Sequence, residues 1–158
     1  MECTVSWTGG LSGQGGQGGG ARSGMGFIAE TGSGHIITMD GAPDAAKPEN
    51  GGQNLAPRPM ETVLAGTGGC TAYDVVLILK RGRHDVRGCS VKLTADRAEV
   101  DPKVFTQINM HFIVTGKALP PAAVERAIAM SHEKYCSATI MLAKTAEITT
   151  SFEVIDIN

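Results

Sequence analysis

The 158-residue sequence contains few aromatic and few charged residues. Aromatic side chains make up 4% of the chain, charged ones 19%, and the net charge is −2. This charge balance gives no reason to expect a nucleic acid or an anionic membrane as a partner, and we expect neither. Hydrophobic residues still reach 42%, which predicts a folded chain with a core of mainly aliphatic side chains.

Targeting segments and membrane-spanning segments are also missing from the sequence pattern. The first residues lack the basic and then apolar order of a signal peptide. Asp74 and Lys80 interrupt the longest apolar stretch, so no transmembrane helix is predicted. We therefore expect a cytoplasmic protein whose four cysteines are thiols at rest, namely Cys3, Cys70, Cys89 and Cys136.

Three motifs that would identify common chemistries are absent. No Cys-x-x-Cys pair occurs, no Gly-x-Ser-x-Gly elbow supports a hydrolase set of Ser137, His132 and Asp74, and the glycine-rich residues 9–24 hold no phosphate-binding Gly-Lys-Ser/Thr. We interpret residues 9–24 as a flexible turn or insertion. Residues 41–57, rich in Gly, Pro, Asn and Asp, are predicted to form an exposed loop.

The hydrophobic periodicity predicts the element order β-β-β-α-β-β-α-α-β. Alternation predicts strands at residues 2–8, 25–30, 35–39, 86–95, 104–116 and 147–157, the first of them half-buried. Helices are predicted at residues 59–80, from residue 119 onward with one face of Val124, Ala127, Ile128 and Ser131, and at residues 138–144. Clustered hairpins with separate helices indicate an α+β fold with a largely antiparallel sheet, in one domain over residues 1–158.

The predicted helix at residues 59–80 is apolar on nearly all sides and carries Cys70 at its middle. Such a helix is normally buried. Gly66, Gly68 and Gly69 precede the cysteine, although each costs about 1 kcal/mol of helix stability relative to alanine. They indicate a close approach, either of a ligand to the sulfur or of another backbone to the helix.

Cys70 and Cys136 both have small neighbours and both lie at or beside predicted helices. Cys136 precedes a predicted helix, whose N-terminus would stabilise a thiolate. One hypothesis is that Cys70 is oxidised to a sulfenic acid, which Cys136 then resolves as a disulfide. The alternative is that both cysteines only pack the core.

A metal site is a competing use of the same cysteines. His132 and Cys136 are spaced i, i+4 and could share a helix face as ligands. The remaining ligands would be Cys70 together with His111 or Asp74. Because no second cluster of cysteine and histidine follows, we expect no bound metal.

Two carboxylates lie on the predicted central helix. Asp74, one turn beyond Cys70, would oppose thiolate formation, so we expect it to cap a backbone or to pair with a basic group. Glu61 lies in the first turn, where a negative charge suits the helix dipole; the alternative is that it orients an arginine that polarises a substrate.

Several of these segments together resemble the OsmC/Ohr family, and most closely its YhfA-like branch. They are Pro59-Met60-Glu61, Gly68-Gly69-Cys70, the basic residues after the helix, residues 105–116 (FTQINMHFIVTG) and residues 133–137 (EKYCS). The resemblance spans about residues 25–156 and the first strand. It implies an OsmC-like α+β fold in which antiparallel sheets wrap around long central helices in an intertwined homodimer.

The resemblance also implies an activity. The chain is similar to cysteine-based peroxidases that reduce organic hydroperoxides in oxidative stress defence, with Cys70 as the peroxidatic thiol and Cys136 as the resolving one. An external dithiol is the implied reductant, no metal or organic cofactor is implied, and Glu61 is the implied third site residue. The alternative is a non-catalytic dimer of the same fold, with a binding or structural role.

The sequence departs from the peroxidase branches at two points. Their glutamate lies ten residues before the cysteine, where this chain has Met60, whereas Glu61 lies nine before. One residue turns a helical side chain by about 100°. Those branches also carry an arginine that stabilises the thiolate, for which Arg22 and Arg58 are the candidates here.

Overall fold

The computed structural model describes residues 1–9 and 24–157. The chain falls into two compact units, Met1–Val63 and Leu64–Asn158, and the prediction of one domain stays a prediction. The elements follow the predicted order: β1 (Cys3–Gly9), β2 (Gly26–Thr31), β3 (Ile36–Met39), α1 (Pro59–Arg81), β4 (Asp85–Arg97), β5 (Phe105–Lys117), α2 (Pro121–Met130), α3 (Ser137–Leu142) and β6 (Glu147–Asp156). Most of the predicted glycine-rich turn lies outside the described residues.

The first unit contains a three-stranded antiparallel sheet in the order β1-β2-β3. The predicted hairpin between β2 and β3 is confirmed: Thr31 donates its amide to the His35 carbonyl at 2.9 Å, and Gly34 has a φ of +82°, which glycine adopts without strain. The predicted half-burial of β1 is wrong for the single chain. Val5 is 56% exposed and Trp7 48% exposed, so the apolar side of this strand is uncovered.

Asp40 organises the segment after β3. Its buried carboxylate accepts backbone amides from Gly41 at 2.7 Å and from Gln53 and Leu55 at 3.0 Å each. Burial raises the pKa of Asp40, but these amides, with that of Asn54, outweigh burial and lower it. One carboxylate therefore ties both ends of residues 41–55 together, and between them lies a single 3₁₀ turn, Pro48–Asn50.

The second unit contains a three-stranded sheet in the order β4-β5-β6. Strands β4 and β5 form a long antiparallel hairpin, whereas β5 and β6 are parallel. The parallel pair is the exception in the largely antiparallel pairing that the sequence predicted. Its cause is the helical connection through α2 and α3, which returns the chain to the same end of the sheet before β6 begins.

The core of the second unit lies on one side of β5, as the alternation predicted. Ile108, Met110, Phe112 and Val114 are each at most 1% exposed. The predicted inner face of α2 is also confirmed, because Val124, Ala127, Ile128 and Ser131 are buried. Helix α2 contacts β6.

Helix α1 is buried along one side only. Its buried residues are Thr67, Gly68, Thr71, Val75 and Leu79, whose spacing of three and four residues defines a single helix face. The opposite side carries Tyr73, which is 70% exposed. The expectation of burial on nearly all sides is therefore wrong for the single chain.

Within the described residues, α1 is the one helix long and apolar enough to cross a membrane, with a mean hydropathy of 1.5 in its best 18-residue window. Core helices of globular proteins pass the same test. The absence of a membrane partner stays a prediction.

Candidate dithiol site

Three side chains of the second unit converge between α1 and the start of α3. The sulfurs of Cys70 and Cys136 and a carboxylate oxygen of Asp74 all lie within 4.8 Å of one another. We call these three residues the dithiol cluster. Cys136 is buried, whereas Cys70 and Asp74 are partly accessible, so the cluster opens to solvent on its α1 side.

The local backbone explains this convergence. Cys70 and Asp74 lie one turn apart on α1 and therefore share a face. After α2 the chain makes one π turn, Ser131–Tyr135, and Cys136 then leaves helical geometry, with φ −76° and ψ 98°. Its amide donates to the Ser131 carbonyl at 2.8 Å. Single π turns inside helices are frequent at functional sites.

The surroundings of Cys70 disfavour its thiolate form and raise its pKa. Burial is the largest contribution that raises the Cys70 pKa, followed by its hydrogen bond with Cys136, and the charges of Cys136 and Asp74 add to the rise. A hydrogen bond from the backbone amide of Ala138 lowers the pKa. The amide at the start of α3 therefore serves Cys70, not Cys136 as the sequence suggested.

Asp74 is held by a small hydroxyl network. The Ser131 hydroxyl donates to Asp74 Oδ2 at 3.0 Å, and the Ser131 and Thr71 hydroxyls are 3.0 Å apart. Sequence reasoning correctly expected Asp74 to oppose thiolate formation, but the partner shown is a hydroxyl and not a basic group. Thr71 and Ser131 were missed as site residues, and the only sequence signal for them was their place beside Cys70 and on the inner face of α2.

The predicted ligand set around His132 is not assembled. Among the described residues, the group with metal-ligand geometry contains three of the candidate ligands, Cys70, Asp74 and Cys136, but not His132. The π turn is the reason, because Cys136 bonds five residues back and the i, i+4 relation to His132 is lost. His132 instead packs edge-on against Phe112, with ring centroids 6.3 Å apart, and burial lowers its pKa. His111 contacts Ser151 at 2.8 Å on an exposed sheet face.

Glu61 lies in the first unit, where it stabilises the start of α1. Its Oε2 accepts the backbone amide of Arg58 at 2.9 Å, the reciprocal contact of a helix capping box. This contact favours the interpretation that Glu61 stabilises the start of the helix. The role of Glu61 as a site residue stays a prediction. The Arg58 side chain is exposed, and Arg22 lies outside the described residues.

A cavity of about 190 Å³ adjoins the cluster. Asp74 contributes to its wall, and the other lining residues are Leu77, Ile78, Arg81, Met130 and Tyr135. The cavity is mainly apolar, with one carboxylate and one guanidinium in its wall. A small apolar molecule with one polar end fits such a lining.

The chain matches known proteins over nearly its whole length. A family model described as OsmC-like protein matches residues 51–151. Protein YhfA of Escherichia coli (strain K12) is 53% identical over 155 residues, which cover 98% of each chain. A hypothetical protein from Aquifex aeolicus VF5 has a solved structure with a TM-score of 0.74 and 25% identity, covering 99% of this chain and 97% of that one.

A second solved structure, of an organic hydroperoxide resistance protein OsmC from Legionella pneumophila, has a TM-score of 0.65. It is 18% identical and covers 98% of both chains. Its likeness concerns the fold alone, and it confirms the predicted fold class.

Proposed function

Because the chain belongs to the OsmC-like family, we propose that it is a thiol-dependent peroxidase that reduces organic hydroperoxides. The observation that carries this proposal is the pairing of Cys70 with Cys136. The sulfurs of two free thiols from different parts of the chain lie within 4.8 Å of each other, one partly accessible and one buried. A reactive thiol needs access to peroxide, and its resolving partner needs only access to the first sulfur.

The proposed cycle uses the two sulfurs in turn. The Cys70 thiolate attacks one oxygen of the peroxide, the O–O bond breaks, and the substrate leaves as an alcohol after protonation. Cys70 is then a sulfenic acid. The Cys136 sulfur attacks the Cys70 sulfur, water leaves, and a disulfide forms. An external dithiol reduces this disulfide by exchange and is itself oxidised to a disulfide.

The adjoining cavity supports an organic substrate. Leu77, Ile78 and Met130 give it an apolar wall, which suits an alkyl group better than hydrogen peroxide. A peroxide oriented with its alkyl group in this cavity would present its O–O bond near Asp74 and the two sulfurs. We propose that the activity serves oxidative stress defence in the cytoplasm.

We further propose that the protein acts as a homodimer. Helix α1 exposes Tyr73, and in the second unit no atom lies within 4 Å of a Cβ built at Gly66 or Gly69. These two glycines therefore have no packing role within that unit. A second subunit against this face would bury the apolar helix and explain the glycines.

A thiol count tests the peroxidase. Reduced protein is mixed with an alkyl hydroperoxide and its free thiols are titrated, with the expected loss of two thiols per chain. Cys70→Ser should abolish the loss, and Cys136→Ser should leave a sulfenic acid that a dimedone probe labels. Cys89→Ser is the matched control and should behave like the wild type, because Cys89 lies on β4 outside the cluster. An unchanged thiol count in the wild type contradicts the proposal.

The raised pKa of Cys70 favours one alternative, a non-catalytic dimer in which the cysteines pack the core. This alternative expects Cys70→Ala to alter stability without changing peroxide resistance of cells. A peroxide-sensitive phenotype at normal protein abundance rejects it.

A further inference from the structure

The dithiol cluster has the geometry of a metal site. Two ligands come from consecutive turns of α1 and the third from the break before α3, with all ligand atoms within 4.8 Å of one another. Around a tetrahedral zinc ion with Zn–S bonds of about 2.3 Å, two sulfurs are separated by about 3.8 Å. Small side-chain rotations therefore suffice to place Cys70, Asp74 and Cys136 around one ion.

The cluster could also use a cation to balance its charge once its thiols are deprotonated. Two thiolates and a carboxylate carry three negative charges when deprotonated. In the described parts of the chain, Asp74 forms no ion pair within 4.0 Å. The ion pair found there joins Arg87 to Asp85 on β4. A divalent cation would offset this charge.

The surroundings of Asp74 resemble those of a metal ligand. Ser131 donates to Oδ2 and is itself fixed by Thr71. One carboxylate oxygen is therefore oriented by an outer hydrogen bond, and a carboxylate oxygen of Asp74 lies within 4.8 Å of both sulfurs. Outer-shell hydrogen bonds of this kind orient ligands in metalloproteins, and their loss commonly reduces metal affinity 10- to 100-fold.

We propose that the reduced protein binds one Zn²⁺ ion per chain through Cys70, Asp74 and Cys136. Two thiolates and one carboxylate suit zinc, and three protein ligands leave a fourth position for water. Each thiol releases its proton to the buffer as its bond to zinc forms, and no electron is transferred. Zinc binding and the disulfide exclude each other, because both use the same two sulfurs. The proposal does not depend on peroxidase activity.

The test is a titration of metal-free protein with Co²⁺ in a phosphine reductant, followed by displacement with Zn²⁺. We expect one Co²⁺ per chain, with sulfur-to-cobalt charge-transfer absorption and the intense visible bands of tetrahedral cobalt. Cys70→Ser and Cys136→Ser should lose the charge-transfer absorption or halve it. Asp74→Asn should weaken binding at least about tenfold, and Ser131→Ala about tenfold.

The controls separate this site from adventitious thiol binding. Cys89→Ser should bind cobalt like the wild type, and protein oxidised to the Cys70–Cys136 disulfide should bind none. The proposal is overturned if no Co²⁺ binds, if Asp74→Asn binds as tightly as the wild type, or if the oxidised protein still binds. Circular dichroism of each variant checks that it is folded, and Asp74→Asn keeps the acceptor for Ser131.

Discussion

At the scale of single residues, Asp74 disfavours the thiolate form of Cys70. Its carboxylate lies within 4.8 Å of the two sulfurs and raises the Cys70 pKa, in addition to the larger contribution of burial. Because peroxide reacts with the thiolate, the wild-type rate should climb with pH up to a Cys70 pKa above that of an ordinary thiol. At neutral pH, only a small fraction of Cys70 is therefore in the thiolate form.

The variant Asp74→Asn tests this dependence. Removing the charge should shift the pH–rate profile towards lower pH and raise the rate constant at pH 7 about two- to tenfold. Single-turnover kinetics with an alkyl hydroperoxide, in a chelator that removes divalent metals, gives the measurement. Asp96→Asn is the matched control, an exposed carboxylate on β4. A profile identical to that of the wild type would mean that Asp74 does not act on Cys70.

Sequence reasoning singled out the two cysteines by residue type, by their small neighbours and by the family resemblance. It inferred the electrostatic effect of Asp74 from its spacing to Cys70 along one helix. It missed Ser131 and Thr71 as site residues. These hydroxyls act only because two helices bring them together across 60 residues of sequence. No local pattern records such a contact.

At the scale of elements, the glycines of α1 serve different purposes. A Cβ built at Gly68 would lie 2.6 Å from Leu93 Cδ1 on β4, whereas at Gly66 nothing in the second unit lies within 4 Å. Gly68 therefore allows α1 to approach the sheet. The glycine cluster predicted a close approach to the helix. It is found at Gly68, where the side chain of Leu93 on β4 packs against α1.

We expect Gly68→Ala to be less stable than Gly66→Ala by about 1–3 kcal/mol, the usual cost of overpacking. Both variants gain the same helix propensity of about 1 kcal/mol, so their difference isolates the contact with Leu93. Urea unfolding of each variant measures the free energy. In a double-mutant cycle, Leu93→Ala should remove most of the difference; equal stability of the two glycine variants would contradict the contact.

The connection between α2 and α3 shows the limit of periodicity. The inner face of α2 followed from spacing alone, since Val124, Ala127 and Ile128 recur at three and four residues. The π turn after α2 could not be predicted, because a change from i, i+4 to i, i+5 hydrogen bonding does not alter the hydrophobic pattern. That turn separates His132 from Cys136 and leaves Asp74 as the third donor.

At the scale of the whole molecule, apolar surface remains uncovered in the single chain. The exposed side chains include Val5, Trp7 and Ile36 on the first sheet and Tyr73 on α1. Because α1 is apolar on nearly all sides, its hydrophobic periodicity could not predict which side its own chain buries and which side stays exposed. Apolar surface of this kind commonly marks an interaction site.

The homodimer makes a direct prediction about this surface. Size-exclusion chromatography with light scattering should give twice the chain mass for the wild type. Tyr73→Lys places a charge on the exposed side of α1 next to Gly69, where a desolvated lysine has no partner, and should weaken association about tenfold or more. Val100→Lys is the matched control, since Val100 is 76% exposed in the turn after β4 and lies away from α1 in sequence and element. A monomeric wild type, or a Tyr73→Lys protein that dimerises like the Val100→Lys control, would show that this helix face does not form the subunit interface.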